Sequence, residues 1–386
     1  MTRFIQVHAL TVYAPSNLNR DDTGRPKTAK FGGAERLRIS SQALKRAIRT
    51  SAVFKSKLVG KTGERTAQAG DWFRAELMSR GLQEVRATAI AKTLSALIGT
   101  LDTSKPEPLV RNKELFFMAP EERASFKAMA EKITRDTALA DELADAGGAA
   151  DDDESDEGDE EAGKKKSKKK GLPKKRISEL RETVLVTVDT AADIAMFGRM
   201  VAAAPEYNRE AAVQVAHAIT THKVEVEDDF YTAVDDLKQS SEDAGAGFIG
   251  ELGFGSGVFY VYACIDRDLL EKNLGGDTGL AATAIGAFIE GLATASPTGK
   301  QASFASRARA SYLRIEKGSQ QPRSLAAAFF RPVRGEDLLA KSIEEIDKLA
   351  TDMTAAYGAC FDGTPYVMHV GNGGSLDEAI RYATAE

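Results

Sequence analysis

The chain has 386 residues, of which 42% are hydrophobic, and its formal net charge is −5. This hydrophobic content is enough to form one large core or two smaller ones. No apolar run approaches the ~20 residues of a membrane-spanning helix, and the N-terminus lacks the apolar run of a signal peptide, so we expect a cytoplasmic protein without a membrane partner. Two cysteines, Cys264 and Cys360, provide neither a disulfide framework nor zinc-site spacing.

Hydrophobic periodicity along the chain predicts an α+β fold. Strands are predicted at residues 4–12, 184–188, 258–262 and 311–315. Helices are predicted at residues 41–54, 71–98, 120–144, 278–294 and 343–357. Residues 193–201 and 213–226 are expected to be extended or irregular. The order strand, helix, strand, strand, helix, strand is typical of a ferredoxin-like sheet.

One segment of the sequence is almost entirely charged. Residues 151–161 carry nine acidic side chains, and residues 164–176 carry nine basic ones. Because nearly no apolar side chain offsets the conformational entropy lost on ordering, we expect residues 146–175 to form a disordered surface loop. The basic half is suited to nucleic acid, but the adjacent acidic run would compete for it. A solubilising insertion is therefore the preferred interpretation.

A second segment carries a strong excess of positive charge. Residues 25–57 contain ten Lys or Arg and one acidic residue, a net charge of +9, whereas the rest of the chain sums to −14. Such a local excess is typical of a nucleic-acid-binding surface, whatever the net charge of the whole protein.

Within this segment, the predicted helix at residues 41–54 separates its charged side chains from its apolar ones. Ser40 or Ser41 is a suitable N-cap, and the free amides that follow favour an anion. The alternative interpretation is an ordinary solvated cationic face. The apolar side consists of Leu44, Ala47 and Ile48, and the polar side consists of Gln42, Lys45, Arg46 and Arg49.

The sequence contains no complete catalytic motif. The tripeptide Thr298-Gly299-Lys300 resembles part of a P-loop, but Thr294 stands where that motif requires Gly and Gln301 where it requires Ser or Thr. Four histidines leave little for a metal site, so we expect no metal and no cofactor. A metal-dependent ribonuclease remains an alternative, although paired surface acids commonly serve turns and helix caps. Its candidate residues are the pairs Asp21-Asp22, Asp228-Asp229 and Asp235-Asp236.

Short sequence blocks in a fixed order, over roughly the first four-fifths of the chain, are similar to those of a known family. The blocks are Ser16-Asn17-Leu18-Asn19-Arg20-Asp21-Asp22, Phe31-Gly32-Gly33, Arg38-Ile39-Ser40-Ser41-Gln42, Lys45-Arg46-Ala47, Gly198-Arg199-Met200, Ala216-His217-Ala218-Ile219-Thr220-Thr221-His222, Thr232-Ala233-Val234-Asp235-Asp236-Leu237, Ser256-Gly257-Val258-Phe259-Tyr260, Asn273-Leu274-Gly275-Gly276 and Lys300-Gln301. In this order they resemble the CasC family. CasC is the guide-RNA-binding backbone subunit of the type I-E CRISPR Cascade complex, an antiviral surveillance particle.

The resemblance implies an α+β fold with a ferredoxin-like (RRM-like) palm sheet, a large helical finger insertion and a protruding thumb. Mapped onto this sequence, the first half of the palm with the cationic helix covers residues 1–54. The fingers cover residues 55–183, a palm strand lies in 184–200, the thumb and connecting loops cover 201–257, and the second half of the palm covers 258–386.

The resemblance also implies a non-catalytic function. Copies of such a subunit, six in CasC, assemble head to tail along the crRNA, together with other Cascade subunits. They grip the phosphate backbone and leave the bases free to pair with a target DNA strand, because a carrier of arbitrary guides cannot recognise base edges. One nucleotide in six is displaced from pairing. A generic single-strand RNA-binding protein is a further alternative.

The charge pattern and the resemblance together assign candidate site residues. RNA contacts are assigned to Asn19, Arg20, Lys27, Arg38, Ser40, Ser41, Gln42, Lys45, Arg46, Arg49, Arg199 and Lys300. The base wedge and thumb are assigned to Met200, Phe230, Tyr231 and Thr232, with Phe230-Tyr231 standing where CasC relatives carry Trp-Phe. The alternatives are that Met200 fills a gap in the core and that the two rings pack locally.

Overall fold

The computed structural model describes residues 2–149, 171–186, 190–233 and 248–385. The strands are β1 (Phe4–Ser16), β2 (Thr28–Phe31), β3 (Ala34–Ile39), β4 (Glu64–Thr66), β5 (Phe116–Met118), β6 (Val213–Val215), β7 (Ala218–Thr220), β8 (Glu227–Ala233), β9 (Phe248–Asp266), β10 (Ala310–Gly318) and β11 (Tyr366–His369). The helices are α1 (Ser41–Thr50), α2 (Ala52–Lys57), α3 (Ala69–Ser79), α4 (Glu84–Ala96), α5 (Pro120–Arg135), α6 (Thr137–Ala149), α7 (Lys174–Val184), α8 (Ala192–Phe197), α9 (Arg267–Asn273), α10 (Thr278–Thr294), α11 (Gln301–Phe304), α12 (Leu338–Tyr357) and α13 (Leu376–Thr384).

The chain divides into two compact units. Unit 1 comprises Met1–Val59, Ala212–Lys272 and Gly276–Glu386. Unit 2 comprises Gly60–Ala211 and Asn273–Gly275.

Unit 1 contains an antiparallel sheet centred on β1. The strand order is β11-β10-β1-β9-β7-β3-β2, and β6 and β8 also pair with β9. β1 is bonded on one side to β10 and on the other to β9, so nearly all its side chains up to Leu10 are buried. β9 is 19 residues long, and its first part pairs with β8. This arrangement puts β8 at the margin of the sheet.

Helices cover the sheet of unit 1. Buried side chains of α12, including Ile343 and Ile346, share a cluster with Leu10, Tyr260 and Tyr312 of the sheet. α10 is mostly buried and packs against α1, α2 and α13. Gly291 permits the approach of α1, because a Cβ at that position would lie 2.9 Å from Cγ2 of Ile48. The position of α1 is therefore set by its apolar side.

Unit 2 is mainly helical. Its core is built by α3 to α7 and by β5, which pairs with the more exposed β4. The rings of Phe73 in α3 and Phe126 in α5 stack with their centroids 4.2 Å apart.

The α+β prediction is confirmed, and so are several individual elements. Predicted strands 4–12, 258–262 and 311–315 lie within β1, β9 and β10, and the predicted helices 278–294 and 343–357 correspond to α10 and α12.

The three other predicted helices are each divided in two. The first breaks at Ser51, which has extended backbone angles and caps α2 by accepting a hydrogen bond from the Phe54 N–H at 3.2 Å. The second becomes α3 and α4, and the third becomes α5 and α6.

Two backbone predictions are wrong. The strand predicted at 184–188 fails because Val184 ends α7 and residues 185–186 form no strand, while 187 and 188 lie outside the described residues. Residues 193–201 were expected to be extended or irregular; residues 198–201 are, but α8 covers 193–197 and packs Ile194 and Met196 into the protein interior. In the described part of 184–200 there is therefore no palm strand: residue 184 and residues 192–197 are helical, and the other described residues are irregular apart from an isolated bridge at Arg199.

The predicted loop at 146–175 is wrong at both ends. Residues 146–149 belong to α6, and residues 174 and 175 begin α7. Residues 150–170, which include the acidic run, lie outside the described residues. Within the described ranges, no helix combines the length and apolar character needed to cross a membrane.

Deletion of residues 151–170 is expected to leave the folding of both units intact, because the only apolar side chain that this segment offers to a core is the methyl group of Ala162. Thermal denaturation of the deletion variant should give the midpoint of the full chain. As a control, deletion of residues 137–149, which contribute Leu139 and Leu143 to the unit 2 core, should unfold that unit. A lower midpoint for the first variant would contradict the prediction.

Candidate nucleic-acid interface

The N-terminus of α1 is fixed by two hydrogen bonds of Ser40. Its Oγ accepts from the Ala43 N–H at 3.3 Å, which makes Ser40 the N-cap, with Ser41 as the first helical residue. Its own N–H donates to Oδ1 of Asn19 at 2.8 Å. Asn19 thus holds the segment that leads into the helix, a positioning function that the sequence did not reveal.

The apolar and polar sides of α1 separate as the spacing predicted. Leu44 and Ile48 are buried. On the other side lie four side chains that we call the α1 ridge: Gln42 and Arg46, which are exposed, and Lys45 and Arg49, which are half-buried. Partial burial lowers the pKa of the Lys45 amine. The ridge is a row of cations and one amide along a single helix.

One of the ten cations in residues 25–57 is not available for binding. Arg36 is fully buried, and its guanidinium donates to the carbonyl oxygens of Thr220 and Phe329, each at 2.8 Å. It therefore joins β3 to neighbouring segments of unit 1.

Lys27 and Arg38 lie on paired segments just before α1. The N–H of Lys27 donates to the Asn19 carbonyl at 2.8 Å, and the N–H of Arg38 donates to the Lys27 carbonyl at 2.8 Å. Nη1 of Arg38 lies 3.0 Å from Nδ1 of His217. Because a guanidinium can only donate, Nδ1 accepts and the ring proton is on Nε2. Partial desolvation of the ring, together with the charges of Arg38 and Lys27, lowers the pKa of His217. At pH 7 the imidazole is therefore neutral, and because the residue is exposed its Nε2–H is available as a donor.

Lys300 and Arg20 meet at a hollow of about 380 Å³ that Tyr231 also lines. Gly299 explains the approach, because a Cβ there would collide with the backbone carbonyls of Asn17 and Leu18. The partial P-loop motif is therefore a site of close backbone packing. Arg25 lines the same hollow and forms two ion pairs there: its Nη2 lies 2.9 Å from Oδ1 of Asp228, and its Nη1 lies 3.5 Å from Oε1 of Glu251.

The predicted thumb residues lie together on β8. Phe230 is 70% exposed and Tyr231 is 45% exposed, and Thr232 is also exposed. Local packing therefore does not bury the two rings in the described structure.

Arg199 is wrongly assigned as an RNA contact. Its guanidinium is buried in unit 2, with Nη1 2.7 Å from Oε2 of the buried Glu122, and it also donates to the carbonyls of Phe117 and Tyr207. A group enclosed in this way cannot reach a phosphate. The sequence motif did not distinguish a buried arginine from an exposed one.

Met200 follows Arg199 and is 74% exposed, so it does not fill a gap in the core. Both flanks are fixed: the backbone of Arg199 is paired with Arg209 in both directions, and the buried Val201 donates its N–H to Oδ1 of Asn208 at 2.7 Å. Unit 2 therefore presents Met200 to solvent on a well-anchored turn.

One member of each described acidic pair, Asp21 and Asp228, serves local structure. Oδ1 of Asp21 accepts from the Thr23 hydroxyl at 2.7 Å and from the Arg25 N–H at 3.0 Å, and the Thr23 bond is the main cause of its lowered pKa. Asp228 pairs with Arg25. Asp235 and Asp236 lie outside the described residues. In the portion of the chain that is described, no three His, Cys, Asp or Glu side chains are placed to hold a metal ion.

A cleft of about 520 Å³ beside α1 contains site candidates that the sequence analysis missed. We call it the arginine cleft, because Arg46 of the ridge, Arg307 and Arg309 all line it. No acidic side chain is among the described residues of its lining. One signal was present in the sequence: residues 291–315 contain four cations and no acid.

The sequence model of the CT1975-like protein family matches residues 5–373. The chain belongs to this family. No curated protein matches it. Among solved structures, the chain is similar to one described as "CRISPR RNA-guided surveillance complex, pre-nicking", with 27% sequence identity, a TM-score of 0.78, and coverage of 98% of this chain and 100% of the other. A second chain, described as "CRISPR RNA-guided surveillance complex", shares the fold at 24% identity and a TM-score of 0.71, with 99% of each chain covered.

The substitution Arg199→Ala is expected to destabilise the protein by about 3–5 kcal/mol, because Glu122 would be left buried without its cation. Arg135→Ala is a matched control in unit 2: that arginine is exposed and pairs with Glu131 on the same helix, so its loss should cost about 0.5 kcal/mol or less. Urea denaturation measures both. Equally small losses of unfolding free energy in the two variants would show that the buried Arg199–Glu122 pair contributes little to stability.

Proposed function

We propose that this protein is the non-catalytic backbone subunit of a Cascade-type CRISPR surveillance complex and that it binds guide crRNA through its phosphates. The observation that carries the proposal is the α1 ridge in a chain of the CT1975-like family. The similarity of the whole chain to a chain of an RNA-guided surveillance complex, at 27% identity, supports it.

The chemistry of the ridge suits a guide of any sequence. Lysine and arginine bind phosphate oxygens by charge and hydrogen bonds, and such contacts hold a strand in register without recognising bases. Lys27, Arg38 and the neutral imidazole of His217 add donors beside α1. The bases of the bound strand remain free to pair with a target DNA strand.

The fold is compatible with the palm, fingers and thumb that CasC implies. We propose that β10, β1, β9 and β7, with α1 and α10, form a ferredoxin-like palm, because their sheet order corresponds to that fold. We assign the fingers to unit 2 and the thumb to the region of β8 in unit 1. Met200 of unit 2, and separately Phe230 and Tyr231 of β8, are candidates for displacing every sixth nucleotide.

Assembly with other copies of the chain also belongs to the proposal. Head-to-tail contacts generate a helical filament, and the guide would limit its length. Six copies, a type I-E particle and additional Cascade subunits are what the resemblance to CasC implies.

We expect the triple substitution of Lys45, Arg46 and Arg49 to Ala to weaken guide binding, because it removes phosphate contacts. The logarithm of the affinity should depend less steeply on that of the salt concentration, by about 0.7 to 1 for each phosphate that is no longer neutralised. The measurement is fluorescence anisotropy with labelled guide RNA across a salt series. Unchanged affinity and slope would show that the ridge is only solvated surface.

Incubation of the protein with labelled guide RNA and magnesium distinguishes the alternatives. A metal-dependent ribonuclease would give cleavage products, whereas a backbone subunit gives none. Mass measurement of the co-expressed complex distinguishes a discrete particle of guide length from the loose coating expected of a generic RNA-binding protein.

We expect Met200→Ala to leave the free energy of unfolding within about 0.5 kcal/mol of wild type, because the side chain is exposed. Chemical probing should show altered pairing at the periodic gap of the guide–target duplex, while affinity for the guide alone is unchanged. The control is Met129→Ala in the unit 2 core, which should cost about 2–5 kcal/mol. A large loss of stability in Met200→Ala with an unaltered gap would refute the wedge.

A further inference from the structure

The arginine cleft has the features of a built anion site. Arg46 comes from α1, whereas Arg307 and Arg309 come from the segment just before β10. All three side chains are exposed, and among the described residues none forms an ion pair with an acidic side chain. Three arginines that line one cleft with no carboxylate among its described lining give the cleft a positive potential, which favours an anion.

A second observation also points to a ligand. Ser306 lines the cleft and is only 6% exposed, yet its Oγ has no hydrogen-bond partner among the residues that the structure describes. A buried hydroxyl without a partner is costly. A phosphate oxygen in the cleft would accept this hydrogen bond.

The segment that holds Ser306 is fixed. Ala305 adopts a left-handed conformation, with φ of 49°, and the Arg307 N–H donates to its carbonyl at 2.9 Å. In the amide orientation that satisfies both groups, Gln301 accepts from the Ser306 N–H at 3.0 Å and donates to the Ser306 carbonyl at 3.3 Å. The backbone that carries the hydroxyl is therefore held in place before any ligand binds.

We propose that the arginine cleft binds a phosphodiester group of the guide RNA strand, with Arg46, Arg307 and Arg309 neutralising its charge and Ser306 donating a hydrogen bond to it. This inference rests on the proposed function and extends its binding site beyond α1. The guide strand is the occupant because Arg46 belongs both to the ridge and to the cleft. A strand that follows the ridge therefore passes the mouth of the cleft.

The test compares two double variants of the full-length protein with labelled single-stranded guide RNA. Arg307→Gln with Arg309→Gln removes two cleft cations and leaves the ridge intact. Arg331→Gln with Arg334→Gln is the matched control, since both are exposed cations of unit 1 outside the cleft. We expect about tenfold weaker binding and a salt slope shallower by about 0.7 for the cleft variant, and less than a twofold change in affinity for the control. Equal affinities and slopes for the two variants would overturn the proposal.

Ser306→Ala tests the hydroxyl separately. A neutral donor changes no counterion release, so affinity should fall about threefold to tenfold with an unchanged salt slope. Because Oγ has no partner in the described structure of the free protein, the melting temperature should not fall. A lower melting temperature with unchanged affinity would mean that Ser306 is structural, and that result would contradict the proposed contact.

Two further arms identify the source of the phosphate. In the first, target-strand DNA replaces the RNA. If the cleft variant lost affinity for DNA only, the cleft would be assigned to the target strand, and the guide strand would be refuted as its occupant. In the second, inorganic phosphate is added at constant ionic strength without RNA. Suppose that phosphate raises the melting temperature of the wild-type protein but not of the cleft variant, while the two proteins bind guide RNA equally well. This result would assign the cleft to free phosphate and would also refute the guide strand as its occupant. If wild-type protein bound no guide RNA at all, the proposed function itself would fail.

Discussion

A buried guanidinium must be surrounded by acceptors, and this constraint divides the arginines of the chain into two groups. Arg36 and Arg199 are buried, and both direct their Nη groups at carbonyl or carboxylate oxygens of the protein itself. Arg46, Arg307 and Arg309 lie at the surface, in a cleft whose described lining contains no acidic group. Only the arginines of this second group can gain substantial binding free energy from an external phosphate. Local environment, and not the number of cations, therefore determines where nucleic acid would bind.

The α1 ridge depends on contacts made by the opposite side of its helix. Ser40 caps the first turn, and the Ser51 hydroxyl donates to the Ile48 carbonyl at 2.8 Å in the last. Leu44 and Ile48 are buried, and Ile48 packs against Gly291 of α10. A helix fixed in this way holds its cations at one side, so the proposed binding of a strand would require little ordering of the backbone. Such preorganisation improves affinity without adding a contact.

The sequence pattern predicted those structural features that depend on interactions between residues close in sequence. The amphipathic spacing of α1, the alternating or β-branched parts of β1, β9 and β10 and the long apolar α10 were predicted, because each depends on residues close in sequence. Burial of Arg199 depends on Glu122, 77 positions away, and the arginine cleft joins α1 to residues more than 250 positions later. Neither contact leaves a periodic pattern. The helix at 192–197 was missed because its six residues are too short for periodicity to be distinguished from a strand.

Residues that are adjacent in sequence serve different functions in the Gly198-Arg199-Met200 motif. A side chain that is to separate stacked bases must not yield when the bases press on it, so its supporting turn has to be rigid. The buried pair of Arg199 with Glu122, the backbone bonds to Arg209 and the Asn208 side chain give the turn this support. If Arg199 reached out to RNA instead, the turn would lose its anchor in unit 2. The burial of Arg199, which excludes it as an RNA contact, therefore supports the turn that carries Met200, as the proposed wedge requires.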